Sequence, residues 1–311
     1  MNPIAQETES RTIPRLNVGD WIESAFDWIN STLRPFFQLL RDGVTTATDW
    51  IAGVLTAPDA LIMAVIFALL AWLVKSWKLG ILLLVLMAFI ISVDQWENAM
   101  ETLALVAVAA GVALLLGIPL GILAARSDGF SNAIRPVMDL MQTMPAFVWL
   151  VPVVVLFSVG VTAGVIGTLI FCLPPGVRFT ELGIRQVDSE VVEAGHAFGS
   201  SPGQILRRIQ LPLALPTIMA GVNQVIMLAL SMAVIAGLVG AGGLGSEVVS
   251  AISRLDIGLG FEAGLSVVVL AIYLDRLTAA LGESQGGEGS PLMRLLRRAQ
   301  AQRNTAPIAS I

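Results

Sequence analysis

The sequence predicts an all-α polytopic membrane protein, on three observations. Hydrophobic residues make up 56% of the chain and charged ones 13%, and a mean hydropathy of +0.81 lies far above what a water-soluble core requires. Seven mainly apolar runs approach the length of a bilayer crossing, which takes about 20 residues. Lys and Arg gather in alternate loops between these runs.

The runs are 60–74, 79–93, 102–125, 140–159, 161–177, 212–239 and 262–275. The first, second, fifth and seventh are short. Lys75 to Lys78 part the first two, and Gly160 barely parts the fourth from the fifth, so either pair is two spans or one broken or re-entrant helix. With the polar stretch 188–212 set in the cytoplasm, alternation puts Lys75, Lys78, Arg126, Arg135, Arg178, Arg185, Arg207, Arg208, Arg276, Arg294, Arg297, Arg298 and Arg303 inside. Arg11, Arg15, Arg34, Arg41 and Arg254 fall outside, with most of the acids. The N-terminus is therefore expected outside and the C-terminus in the cytoplasm. The net charge of −5 sums two unlike faces, and nothing in it favours nucleic acid, which would call for a basic patch.

Residues 1–59 lack the basic-then-apolar order of a signal peptide, since Glu7, Glu9 and Asp20 precede any apolar run. Ile22, Phe26, Ile29, Leu33, Phe36 or Phe37, and Leu40 recur at helical steps with Trp21, Trp28 and Trp50 nearby, which suits one or two helices lying in the outer interface. Pro35 is expected to break the first. The region is either a scaffold around a pathway or a locally packed extension.

Cys172 and His196 are the sole cysteine and histidine, so an intramolecular disulfide has no partner and a multi-histidine metal site or Ser-His-Asp triad has little to work with. No Gly-x4-Gly-Lys-Ser/Thr phosphate loop occurs. No catalytic residue, metal or cofactor is assigned to this chain.

Residues 188–212 read as a helical hairpin. Asp188 or Ser189 caps a first helix, Glu190 and Glu193 sit near its positive end, and Gly199 takes the left-handed conformation that stops it. Ser201, Pro202, Gly203 and Gln204 form a capping box that opens a second helix, and Pro212 opens the next membrane segment. Small and apolar residues flanked by charge form a knob that fits a groove on another protein; the alternative is a packed surface loop.

Glu193-Ala194-Gly195, then Gly199, then Ile209-x-Leu211-Pro212 resembles the cytoplasmic loop of bacterial ABC importer permeases, with Gly195 in place of the usual second alanine. Further segments narrow the resemblance to the glycine betaine/proline betaine permeases: Met141-Gln142-Thr143-Met144-Pro145-Ala146-Phe147-Val148-Trp149-Leu150-Val151-Pro152, Leu173-Pro174-Pro175 and Ala220-Gly221-Val222-Asn223-Gln224. Leu228 to Met232, Gly242-Gly243-Leu244-Gly245 and Leu274-Asp275-Arg276-Leu277-Thr278 extend it. It implies an ABC type I importer transmembrane fold in a bacterial cytoplasmic membrane. The chain then divides into an amphipathic extracytoplasmic region (1–59), additional N-terminal spans (60–97), a permease core (98–282) and a basic cytoplasmic tail (283–311). The resemblance also implies a second permease copy, an external substrate-binding protein, and a separate ATPase dimer that holds ATP and Mg. In that reading Glu193, Ala194, Gly195, Ala197, Phe198, Gly199, Ile209, Leu211 and Pro212 form the coupling loop gripped by the ATPase.

A methylated ammonium suits aromatic faces and its carboxylate suits polar donors. Phe147 and Trp149 supply the first; Gln142, Thr143, Asn223, Gln224 and Ser231 supply the second, with Met144, Met227 and Met232 as adaptable lining. Each of these side chains is otherwise packing. Residues 102–125, 140–177 and 209–246 contain no Asp, Glu, Lys, Arg or His, which disfavours a proton-coupled carrier with intramembrane relays. Choline, carnitine or trimethylamine N-oxide stand as other substrates, and a membrane scaffold recruiting a cytosolic partner as a different class.

Overall fold

The computed structural model describes residues 17–283, so residues 1–16 and nearly all of the expected basic tail lie outside the described residues. Twelve α-helices are described: α1 Val18–Thr56, α2 Ala60–Val74, α3 Trp77–Ser92, α4 Trp96–Arg126, α5 Asp128–Thr143, α6 Ala146–Phe157, α7 Val161–Arg185, α8 Ser189–Ala197, α9 Pro202–Ile205, α10 Leu211–Ala236, α11 Gly243–Arg254 and α12 Ile257–Glu283.

The core is a trio of long apolar helices in which α4 and α7 run parallel and α10 runs antiparallel to both. Glycines set the spacing. A Cβ on Gly117 would stand 3.3 Å from the Gly176 backbone, one on Gly121 2.6 Å from the Val177 carbonyl, and one on Gly183 3.1 Å from the Ala214 carbonyl. Lipid tails are as apolar as leucine, so helices in a bilayer gain by close backbone approach rather than by escaping water. A polar tie adds α12 to the trio: Asn223 donates to Asp275 at 3.0 Å, and the Thr278 hydroxyl donates to Asn223 at 2.7 Å. Such interhelical bonds average about 0.6 kcal/mol each in membranes.

At the end where α7 starts and α10 finishes, the chain turns through Gly240, Gly242 and Gly243, all at positive φ. This turn is latched to the start of α4. The Gly243 N–H donates to the Glu101 carboxylate at 2.9 Å, and the Leu244 N–H to the Thr102 hydroxyl at 2.9 Å. Gly160 donates across to the Val239 carbonyl at 2.8 Å. Helix α1 lies over the same end, its Phe37 ring 5.4 Å from Phe157 and its Thr45 hydroxyl 3.0 Å from that of Thr162. Trp21, Trp28, Phe36, Leu39 and Trp50 form an exposed stripe on its outer face.

One expectation is met and one corrected. Pro35 breaks the first helix: Leu33, two residues before it, leaves the helical region at φ −105°, ψ 16°, so α1 is two helices joined across a kink, because an internal proline costs one backbone bond and a carbonyl clash that bending relieves. The run 140–159 is not one straight helix, since α5 and α6 meet at a bend of 100°. Met144, just before Pro145, is extended at φ −69°, ψ 134°, the conformation that a following proline imposes. Helices α1 and α2 form a second bent pair, at 98°. Of the other expected runs, four lie in helices long and apolar enough to cross a membrane, 60–74 lies in that second pair, and α3, which holds 79–93 but for its last residue, is shorter.

The closest backbone approach makes a direct test. A Cβ on Gly237 would fall 2.2 Å from the Gly245 carbonyl carbon, whereas one on Gly111 meets nothing within 4 Å. Gly237→Ala should lower the Tm of the purified subunit, at a cost of about 1–3 kcal/mol, while Gly111→Ala leaves it within error.

Candidate functional site

The hairpin is assembled from its caps. Asp188 accepts from the Glu190 N–H at 2.9 Å to start α8. At the other end Gly199, at φ 77°, donates to the His196 carbonyl at 2.9 Å while Ser200 donates to Gly195 at 3.1 Å, the paired bonds of a Schellman stop. Gln204 reaches back to the Ser201 N–H at 2.8 Å, the glutamine half of the expected box.

The second arm is not a separate short helix. From Pro202 the chain passes through a π-helical turn, Leu206–Gln210, in which Leu211 donates back to Leu206, and runs on as α10. One rod of 38 residues, Pro202–Val239, therefore joins the hairpin to the core. Wide turns of this kind occur frequently at functional sites.

The residues expected to form a coupling loop divide by direction. Glu193, Ala194, Ala197, Phe198 and Pro212 are exposed, and Phe198 is 90% exposed at the tip. Gly195 is buried and holds the two arms together: a Cβ there would lie 2.8 Å from the end of Ile209. Leu211 packs at the base against a small core of Ile184, Leu206, Ala214 and Ile218. An exposed phenylalanine on a rigid, capped knob is the composition of an interface anchor.

The residues expected along a substrate pathway are less uniform. Thr143, Phe147, Gln224 and Ser231 reach the subunit surface; Gln142, Met144, Trp149 and Met227 are half-buried. Met232 is wholly buried, so in this structure it packs inside the subunit rather than lining a surface. Asn223 has its amide committed to α12. The Trp149 indole donates to the Met141 carbonyl at 3.2 Å and so braces the bend between α5 and α6.

A second cluster was missed in the sequence. Asp128, Ser131, Arg135 and Asp139 follow one face of α5, and Arg178, Glu181 and Arg185 one face of α7. Glu181, its side chain 11% exposed, accepts from Ser131 at 2.7 Å and from Arg185 at 2.9 Å, with Arg135 at 3.6 Å. Arg185 also pairs with Asp128 at 2.7 Å and donates to the Ala124 carbonyl of α4 at 2.8 Å. Arg178 pairs with Asp139 further along. The recurrence of charge at three- and four-residue steps on both segments was the available signal.

A bundle of long apolar helices with bent spans and one projecting hairpin is a multi-pass membrane protein, and its fold is that of type I ABC importer permeases. A chain of the MetNI methionine ABC transporter, solved in inward-facing conformations, matches it with a TM-score of 0.55 at 21% identity, covering 59% of this chain and 92% of that one. The chain belongs to the family of binding-protein-dependent transport system inner membrane components, whose model matches residues 117–285. It is 46% identical over 270 residues to the glycine betaine/proline betaine transport system permease protein ProW of Escherichia coli (strain K12), over 87% of this chain and 76% of the relative. It is 43% identical over 282 residues to the glycine betaine/carnitine transport permease protein GbuB of Listeria monocytogenes, over 89% of this chain and 99% of that one. The chain is thus a permease subunit of the inner membrane.

Gly195→Val must push Ile209 aside, whereas a Cβ on the neighbouring Gly203 meets nothing within 4 Å. Overpacking of about 1–3 kcal/mol should speed amide exchange across 189–198 in the first variant, with Gly203→Ala unchanged.

Proposed function

We propose that this chain forms the transmembrane pathway of an ATP-driven, binding-protein-dependent importer for glycine betaine, proline betaine or a related methylated amine. The hairpin is the observation that carries the reading. Its outward residues Glu193, Ala194, Ala197 and Phe198 are exposed on a capped hairpin, and its second arm is continuous with a core helix. A partner that grips the tip therefore moves α10 as a lever. The chain carries no phosphate loop, so ATP and Mg reside in a separate ATPase dimer, one ATPase for the hairpin of each of two permease copies.

The hairpin faces the cytoplasm and the N-terminal region lies outside, as the distribution of Lys and Arg favours. A binding protein delivers the solute to the outer face, so tight recognition is not required of the permease. Phe147, Thr143, Gln224 and Ser231, exposed on the subunit, remain pathway candidates, with the aromatic face toward the methylated ammonium. The substrate class is supported by the likeness to ProW, and carnitine is the second reading, from the likeness to GbuB.

Proteoliposomes holding this subunit with candidate ATPase and binding-protein partners should take up betaine only with ATP; uptake driven by an ion gradient alone sinks the proposal. Phe198→Ala should leave the subunit's Tm unchanged and weaken ATPase association about 30-fold or more, as loss of an interface anchor worth at least about 2 kcal/mol does. Unchanged association in a pull-down counts against the docking role.

A further inference from the structure

Among the described residues, the charged face between α5 and α7 stands out in a chain with 13% charged residues. It runs antiparallel: Asp128 meets Arg185, Ser131 and Arg135 meet Glu181, and Asp139 meets Arg178. A cavity of about 400 Å³ is lined by Arg135, Asp139, Arg178, Glu181, Leu182 and Arg185. Three arginines in a cavity suggest an anion site. Here they face three carboxylates, Asp128, Asp139 and Glu181, so the cluster is self-neutralised and the observations favour a lock between the helices.

Its position says what the lock does. Arg185 ends α7, three residues before the cap Asp188 of the hairpin, and grips α4 through Ala124, α5 through Asp128 and α7 through Glu181. Helix α5 is the first limb of the bent pair, and α6 beyond the bend carries Phe147 and Trp149. Resting on the importer reading above, we infer that this ionic zipper transmits hairpin motion through α5 to α6, with Glu181 and Arg185 as positioning residues for transport. The hairpin then has two outputs: α10, continuous with its second arm, and the α5–α6 pair, moved through the last turn of α7. Glu181 contributes most, because its carboxylate is buried and serves two helices, whereas the Asp139 and Arg178 side chains are 60% and 46% exposed.

The test measures betaine uptake and ATP hydrolysis together in proteoliposomes of the whole assembly. Glu181→Gln should leave hydrolysis within about twofold and lower uptake per ATP about five- to tenfold, within the usual range of coupling between sites. Arg178→Asp, on the exposed pair, should lower the same ratio less, and adding Asp139→Arg should restore it. This swap decides the matter if Glu181→Gln fails to assemble. An unchanged ratio in both single variants, or parallel loss of uptake and hydrolysis without recovery in the double variant, overturns the inference. Absence of ATP-driven uptake by the unaltered assembly refutes the importer reading itself and leaves no ratio to compare.

Discussion

Close backbone contact among α4, α7 and α10 is the constraint on which the other features depend. Gly117, Gly121, Gly176 and Gly183 bring these helices to distances at which one added methyl on Gly121 would overlap a carbonyl. Without that contact the Glu101 carboxylate would not reach the glycine turn, nor Arg185 the carbonyl of Ala124. In lipid the trio is held by fit and by a small number of polar bonds. It therefore moves as one stiff unit, so that displacement of any one of the three helices is shared by the others.

Both ends of the trio are organised by charge placed at helix termini. At one end Glu101 sits on the first amides of α11, where a carboxylate is favoured by unpaired N–H groups. At the other, Arg185 closes α7 beside its own terminal carbonyls and reaches Asp128 in the first turn of α5, so both charges complement the helix ends they occupy. The hairpin then projects from a base already fixed to three helices. In the proposed coupling role, force on the knob reaches the membrane through this footing. The continuous Pro202–Val239 rod provides it on one arm, and the last turn of α7 on the other.

The legibility of these features in the sequence follows from the range of the interactions that create them. The hairpin could be read residue by residue because its determinants are local: Asp188 caps two residues on, and Gly199 stops the helix that precedes it. The π-helical turn was not legible, since Leu206–Gln210 has no residue type that requires it. Hydropathy saw 140–159 as one run because apolarity is unchanged across the bend; only the Met144-Pro145 pair marked it. The Asn223 tie to Asp275 and Thr278 joins segments 52 and 55 residues apart. Both motifs are visible in the sequence, but their contact is not, so the fastening of α12 by the Asn223 side chain is read only from the structure. The zipper on α5 and α7 was written in plain periodicity and was passed over because its two halves are meaningful only together.

The central claim is that the hairpin tip is a cytoplasmic docking knob for an ATPase. It is tested most directly by placing a single thiol at the tip, as Phe198→Cys in a chain whose buried Cys172 has been replaced by alanine. A short cross-linker with a maleimide at one end, for the thiol, and a succinimidyl ester at the other, for a lysine amine, should link residue 198 to the ATPase subunit in inverted membrane vesicles, and a membrane-impermeant thiol reagent added to intact spheroplasts should leave it unmodified. Modification from outside the spheroplasts, with no ATPase link in inverted vesicles, would contradict the account.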